Sequence, residues 1–267
     1  MITIRNYYFP KGIEDAYNKL TERKSNALIG GGAYLKLGSK AIGTAVDLSS
    51  LPLEYIDEKE TGYEIGAMTT FSKVMLHEGL NRDFDSLFQR AIENIVGMQL
   101  KNMVTVGATV YSRYGFSDFL TALLVTNTKV KLFKEGWVPL EEFLENGPEQ
   151  RDLVEKIRIE KTRGSYSFQD LRKSSSDYSI INLALSKEDQ RYRLAVGARP
   201  RRAKLAVKTA EFLRDRTPSE ETMEKAGELL AGELVFGTNA RGTKEYRKAM
   251  AKALLKKAFL EVSAHED

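Results

Sequence analysis

Apolar residues fall into short, separated runs whose spacing alternates between helical and strand-like. Ile2 to Tyr8 reads as a strand, and Lys11 to Arg23 as a helix with Ile13, Ala16, Tyr17 and Leu20 at helical spacing. The apolar run Ala27 to Ile29 breaks into three glycines, Gly30, Gly31 and Gly32. Strands are expected at Thr44 to Asp47, Tyr63 to Ala67 and Lys129 to Phe133. Thr69 or Thr70 is placed to cap a short helix. Phe84 to Gly97 predicts an amphipathic helix with Leu87, Ala91, Ile95 and Met98 on one side. Near Lys161 to Ser165 the texture changes, and residues 1–161 and 162–267 are expected to form two domains. Beyond that point Ser165 to Phe168, Tyr178 to Leu185 and Arg191 to Gly197 read as strands, the last two joined by a turn at Ser186 to Gln190. Ala203 to Arg214, Ser219 to Leu230 and Thr243 to Val262 read as helices. The expectation is α+β throughout, with strands before helices in the second part.

Composition narrows the chemistry. The 267 residues include no cysteine and two histidines, His77 and His265, so disulfides, thiolate metal sites, a cysteine nucleophile and a histidine-rich metal centre are excluded. The 41 basic and 37 acidic residues nearly cancel, which gives little reason to expect nucleic acid as a partner. No run approaches the length of a membrane-spanning helix, and the first residues lack the apolar core of a signal peptide, so a cytoplasmic location is expected.

Gly30, Gly31 and Gly32 suit two purposes. They allow backbone N–H groups to converge on an anion, or they form a plain turn that needs positive φ. A Rossmann turn is disfavoured because Leu35 stands where a third glycine is required and about a dozen residues are too few for a crossover helix. A Walker loop is excluded because no Gly-Lys-Ser/Thr follows. A second glycine turn is expected at Val104 to Thr109, and Asp118 is placed either to cap the apolar segment after it or to accept hydrogen bonds from a ligand. Lys244, Lys248, Lys252 and Lys256 form a stripe on the last helix. Arg199, Arg201, Arg202 and Lys204 form a basic cluster read as a solvated loop.

These motifs, in this order, resemble the FAD-binding medium subunit of the molybdenum hydroxylases, the xanthine dehydrogenase and carbon monoxide dehydrogenase family. The stretch Gly30 to Leu35, followed by Lys40 and Val46 to Ser49, is similar to the family's Ala-Gly-Gly-Thr-Asp-Leu turn. Gln99 to Thr109 is similar to its Gln-Ile-Arg-Asn-x-x-Thr-Ile-Gly-Gly-Asn signature, and Asp118 to Leu124 to the segment after it. Phe168 to Ala184, Leu194 to Gly197 and Arg241 to Arg247 resemble three stretches of the family's C-terminal domain. The resemblance implies an FAD-binding domain of the p-cresol methylhydroxylase type, made of two α+β subdomains, followed by a smaller α+β domain of antiparallel sheet and helices. It implies FAD as cofactor, held by Ile29, Gly30, Gly31, Gly32, Ala33, Tyr34 and Leu35, by Thr105, Val106, Gly107 and Thr109, and by Asp118 and Gln169. No catalytic acid or base and no metal ligand are implied in this chain. The implied partners are a molybdopterin-containing large subunit and a [2Fe–2S] small subunit, with NAD as one candidate acceptor. Ala33, Tyr34, Ala108, Thr109 and Gln169 depart from the family's polar or glycine residues, which leaves a flavin-less scaffold as the alternative.

Overall fold

The computed structural model describes residues 2–35, 38–39, 41–189 and 191–264. Lys40, Gln190 and His265, named above, lie outside the described residues. The chain runs β1 (Thr3–Tyr8), α1 (Ile13–Glu22), β2 (Ala27–Ile29), β3 (Ala41–Asp47), β4 (Ile56–Lys59), β5 (Gly62–Gly66), α2 (Phe71–Met75), α3 (Glu78–Asp83) and α4 (Leu87–Glu93). It continues through α5 (Met98–Lys101), α6 (Val106–Ser112), α7 (Asp118–Leu124), β6 (Thr128–Leu132), β7 (Gly136–Pro139), α8 (Leu140–Asn146) and β8 (Val154–Glu160). The last stretch holds β9 (Ser165–Leu171), β10 (Ile181–Glu188), β11 (Arg191–Gly197), β12 (Lys204–Leu205), α9 (Val207–Leu213), α10 (Glu220–Glu233) and α11 (Lys244–Ala264).

Contacts divide these elements into two compact units, each assembled from separated segments. The first unit comprises residues 1–74, 97–112 and 128–159; the second comprises 75–96, 113–127 and 160–267.

The first unit contains a three-stranded parallel sheet in the order β1-β3-β2 and a five-stranded sheet in the order β4-β5-β8-β6-β7. Helix α1 places Ala16 and Leu20 inward, and a small core gathers Ala16, Val46, Leu48, Leu51 and Leu153. In β3 the burial alternates poorly because Ala45 and Val46 are both covered, as expected of a central parallel strand. The parallel register Ile29↔Asp47 sets where β2 ends and the glycines begin.

The second unit is built on the antiparallel sheet β12-β11-β10-β9. A two-residue connection joins β10 to β11, with Glu188 paired to Arg191 and Asp189 at φ +53. Strand β10 is buried along nearly its whole length, its polar Asn182, Ser186 and Lys187 included. Ile181, Leu183 and Leu185 meet Leu254, Leu255, Phe259 and Val262 of α11 in the main core.

Several expected elements differ. The helix foreseen over Phe84 to Gly97 is only Leu87–Glu93. Asp85 and Ser86 hold left-handed φ values of +47 and +56, backbone that no helix admits, so the helix starts only at Leu87; its C-cap is Asn94, and Gly97 with φ +76 precedes the next helix. Met98 begins a separate helix and is exposed. The Thr69 hydroxyl caps nothing; it bridges the backbone N–H and C=O of Tyr55. The strand foreseen from Tyr178 begins at Ile181. Strands β4 and β7, four residues each, are too short for an alternation to stand out in the sequence, and β8, whose Val154, Ile157 and Ile159 are buried, was not foreseen. His77, expected on a surface helix, caps the N-terminus of α3 through its Nδ1, which accepts from the Leu80 amide at 3.2 Å.

Candidate functional site

The glycine loop leaves the end of β2 and turns at once. Gly31 and Gly32 take φ values of +71 and +66, the left-handed region where a Cβ is costly. A tight turn follows, in which the Leu35 amide donates to Gly32 O at 3.2 Å. Ala33 is buried, while Ile29, Gly30, Gly31, Gly32, Tyr34 and Leu35 are half-buried.

The first unit brings this loop against the second glycine segment. Thr105 Oγ1 donates to Gly30 O at 3.3 Å. A Cβ placed on Gly30 would lie 3.1 Å from that hydroxyl and 3.6 Å from the Ala108 Cβ. On Gly31 it would overlap the Met103 carbonyl oxygen. The contact therefore requires glycine for space as well as for φ. The amides of Gly31, Gly32 and Ala33 have no hydrogen-bond acceptor among the described residues. A cluster of such N–H groups in left-handed turns, beside the start of α6, is an arrangement that accepts an anion such as a diphosphate.

The second segment differs from its expectation. Gly107 lies in the first turn of α6, not in a turn after a strand, and its amide donates to Ala67 O at 2.8 Å. The Val106 amide donates to Thr69 O at 2.9 Å. Both N–H groups are thus committed within the unit. Gly107 is required by packing, since a Cβ there would come within 2.5 Å of the Ala67 Cβ. Thr109 follows in α6 and is half-buried.

Asp118 and Gln169 lie in the second unit. Ser117 Oγ, not Asp118, caps α7 by accepting from the Leu120 amide at 3.3 Å. The Asp118 side chain is 5% exposed and ion-paired with Arg172, itself 7% exposed. Its other oxygen accepts from Ser179 Oγ at 2.7 Å and from the Asn182 amide group. Burial pushes the Asp118 carboxyl above its ordinary range, against the pull of Arg172, Ser179 and Asn182. Arg172 also pairs with Asp170 and donates to Asp177 O at 2.7 Å. Gln169 Nε2 donates to Glu261 Oε2 at 2.8 Å and to Ser167 Oγ at 3.2 Å. In this structure the Asp118 carboxylate and Gln169 Nε2 are engaged inside the unit.

The sequence reading missed a set of planar groups beside this network. Tyr114 stacks on Phe116 with centroids 5.0 Å apart, Phe116 meets Tyr178 at 4.6 Å, and the Arg241 guanidinium lies 5.1 Å from the Tyr178 ring centroid. Arg241 is held in turn by Asp177 at 2.9 Å. Tyr114 and Tyr178 remain partly exposed and offer ring faces. The closely spaced aromatics of Tyr114-Gly115-Phe116 were the available signal. Arg199, read as part of a solvated loop, is buried instead. It donates to the carbonyls of Val196 at 3.2 Å, Val235 and Arg202 at 2.9 Å, and burial lowers its pKa to about 10. Within the lysine stripe, Lys252 pairs with Glu228. Among the described residues no group of acidic or histidine side chains is placed to hold a metal ion, and no helix is long and apolar enough to cross a membrane.

Comparison with known proteins decides what the loop belongs to. Residues 2–161 match the family described as the FAD binding domain in molybdopterin dehydrogenase, and residues 166–262 match the CO dehydrogenase flavoprotein C-terminal domain. The chain belongs to this flavoprotein family. Its cofactor is FAD, and it is an oxidoreductase chain of the xanthine dehydrogenase and carbon monoxide dehydrogenase type. The nicotine 6-hydroxylase medium subunit of Paenarthrobacter nicotinovorans is 24% identical, over 97% of each chain. The xanthine dehydrogenase/oxidase of Gallus gallus is 26% identical over 78% of this chain, which spans 17% of that much longer protein. The solved structure of reconstituted CO dehydrogenase from Oligotropha carboxidovorans shares the fold, with a TM-score of 0.90 at 22% identity over 99% of each chain. The α+β architecture foreseen from the sequence is the fold of this family.

Proposed function

We infer that this flavoprotein is the FAD-holding medium subunit of a molybdenum hydroxylase complex. Its partners would be a molybdopterin-containing large subunit and a [2Fe–2S] small subunit, and it would pass electrons from the iron–sulfur clusters to an acceptor such as NAD. The observation that carries the reading is the Gly30 to Leu35 loop. Its unmatched amides at Gly31, Gly32 and Ala33 lie in the family's FAD domain and are seated on Thr105. A diphosphate fits that donor set, because every group is a fixed N–H and none needs to reorganise.

FAD, when bound, supplies a centre that takes electrons singly and releases them as a pair. The chain's own residues bind and orient. Gly31, Gly32 and Ala33 donate to the diphosphate, while Ile29, Tyr34 and Leu35 line the loop. Thr105, Val106, Gly107 and Thr109 shape the wall against which it rests. Asp118 and Gln169 complete the proposed set, their side chains fixed by Arg172 and Glu261. The proposed domains are residues 1–161 and 162–267 in chain order, whereas the compact units interleave segments of the chain. A cytoplasmic location is part of this proposal.

The decisive experiment is to purify the chain, record its visible absorbance and titrate it with FAD. A yellow protein, or a colourless one that takes up one equivalent of FAD, supports the reading. A colourless protein that binds none replaces it with the flavin-less scaffold, a role that the committed amides of Val106 and Gly107 would equally suit.

A further inference from the structure

Of the methionines among the described residues, Met98 and Met103 are the exposed ones, at 49% and 38%. Both sit in the single turn of chain that begins at Gly97 and ends where the Met103 carbonyl presses on Gly31. Met75 and Met223 are buried, and Met68 and Met250 half-buried. The turn is pinned at two points. The Ser72 hydroxyl donates to Met98 Sδ at 3.4 Å, and the Phe71 amide donates to Val104 O at 3.0 Å.

We propose that Met98 and Met103 form an oxidation-sensitive pair, modified by hydrogen peroxide, that controls how firmly the Gly30 to Leu35 loop is seated. The thioether sulfur attacks one peroxide oxygen, the S–O bond forms as the O–O bond breaks, and the departing hydroxide takes a proton to leave as water. The sulfur loses two electrons to the peroxide, giving a sulfoxide. These two side chains stand open to dissolved peroxide where the buried methionines do not. At Met98 the sulfur that accepts from the Ser72 hydroxyl at 3.4 Å becomes a sulfoxide, so the acceptor in that contact changes. At Met103 an apolar side chain becomes polar in the residue whose carbonyl touches Gly31. The seat of the loop shifts with the turn. The consequence for FAD rests on the function proposed above; the consequence for the loop does not.

The test uses the full chain with and without FAD, treated with hydrogen peroxide. Peptide mass analysis should show one added oxygen on Met98 and Met103 about tenfold faster than on Met75 and Met223. Amide hydrogen exchange over residues 30–35 should rise with or without FAD, and in the FAD-loaded chain the affinity should fall about tenfold. In the double variant Met98→Leu, Met103→Leu both effects should vanish, and methionine sulfoxide reductase should reverse them in the native chain. Equal oxidation of all four methionines overturns the proposal. So does oxidation of Met98 and Met103 without a rise in exchange, or the same rise in the leucine variant. A chain that takes up no FAD before treatment defeats the cofactor reading alone, and the exchange measurement still judges the pair.

Discussion

Gly31 stands so close to Met103 that a single methyl group would overlap the Met103 carbonyl oxygen. The neighbouring Gly32 has similar backbone, φ +66, but open space, its nearest neighbour being Ile29 Cγ2 at 3.8 Å. The two positions separate strain from steric exclusion. Gly32→Ala should cost about 1–2 kcal/mol, the price of left-handed backbone for an L-residue. Gly31→Ala adds displacement of the 97–103 turn and should cost at least about 3 kcal/mol, with loss of FAD uptake. Denaturant midpoints and FAD titrations of both variants check the order.

Gly107 is a packing glycine in α6. Gly107→Ala should destabilise by about 1–3 kcal/mol, because the Ala67 backbone must move away from the helix. Its amide bond to Ala67 O should survive, so the loss should be in stability more than in cofactor affinity. Equal stability of variant and native chain in urea would show that the helix slides freely, contrary to the packing described.

Asp118 and Arg172 are a buried pair: removing Arg172 leaves Asp118 without its counter-charge, and removing Asp118 leaves Arg172 with Asp170 alone. Arg172→Met and Asp118→Asn should each cost about 3–5 kcal/mol, and the double variant less than their sum. Additivity in the double-mutant cycle would mean that the two groups do not interact. Asp170 also faces Arg172, so the Asp118→Asn variant should be the milder of the two.

Asp177 provides a pH test. The Arg241 guanidinium, then the Tyr178 amide, hold its carboxyl below the ordinary value of 3.8. A carboxyl with a lowered folded pKa contributes stability that is fully present above the ordinary value and is lost as pH falls through the lowered one. The loop carrying Tyr178 should therefore loosen in acid, seen as a change in tyrosine fluorescence as the pH falls below the ordinary carboxyl value of 3.8. Asp177→Asn should lack that transition and show a looser Tyr178 already at neutral pH.

Much of the fold was legible in the chain. The spacing of Ile13, Ala16, Tyr17 and Leu20 indicated α1. Alternation around Arg191 to Gly197 indicated β11, and the ordered motifs indicated the flavoprotein family. Local periodicity suffices there because each element buries one face. It failed for β4 and β7, four residues each and so too short to show a period, for β8, and at Asp85 and Ser86, whose left-handed backbone no propensity foretells.

What the sequence determined by itself was the family, the absence of thiol chemistry and the location of a glycine loop after β2. What only the tertiary structure decided was the use of each group. It seats Gly31 on Met103, commits the amides of Val106 and Gly107, buries Arg199 among carbonyls and closes Arg172 over Asp118. The reason is physical. A residue's type sets which bonds it is able to make, but which ones form depends on partners tens of residues away, and on how completely folding removes water from between them.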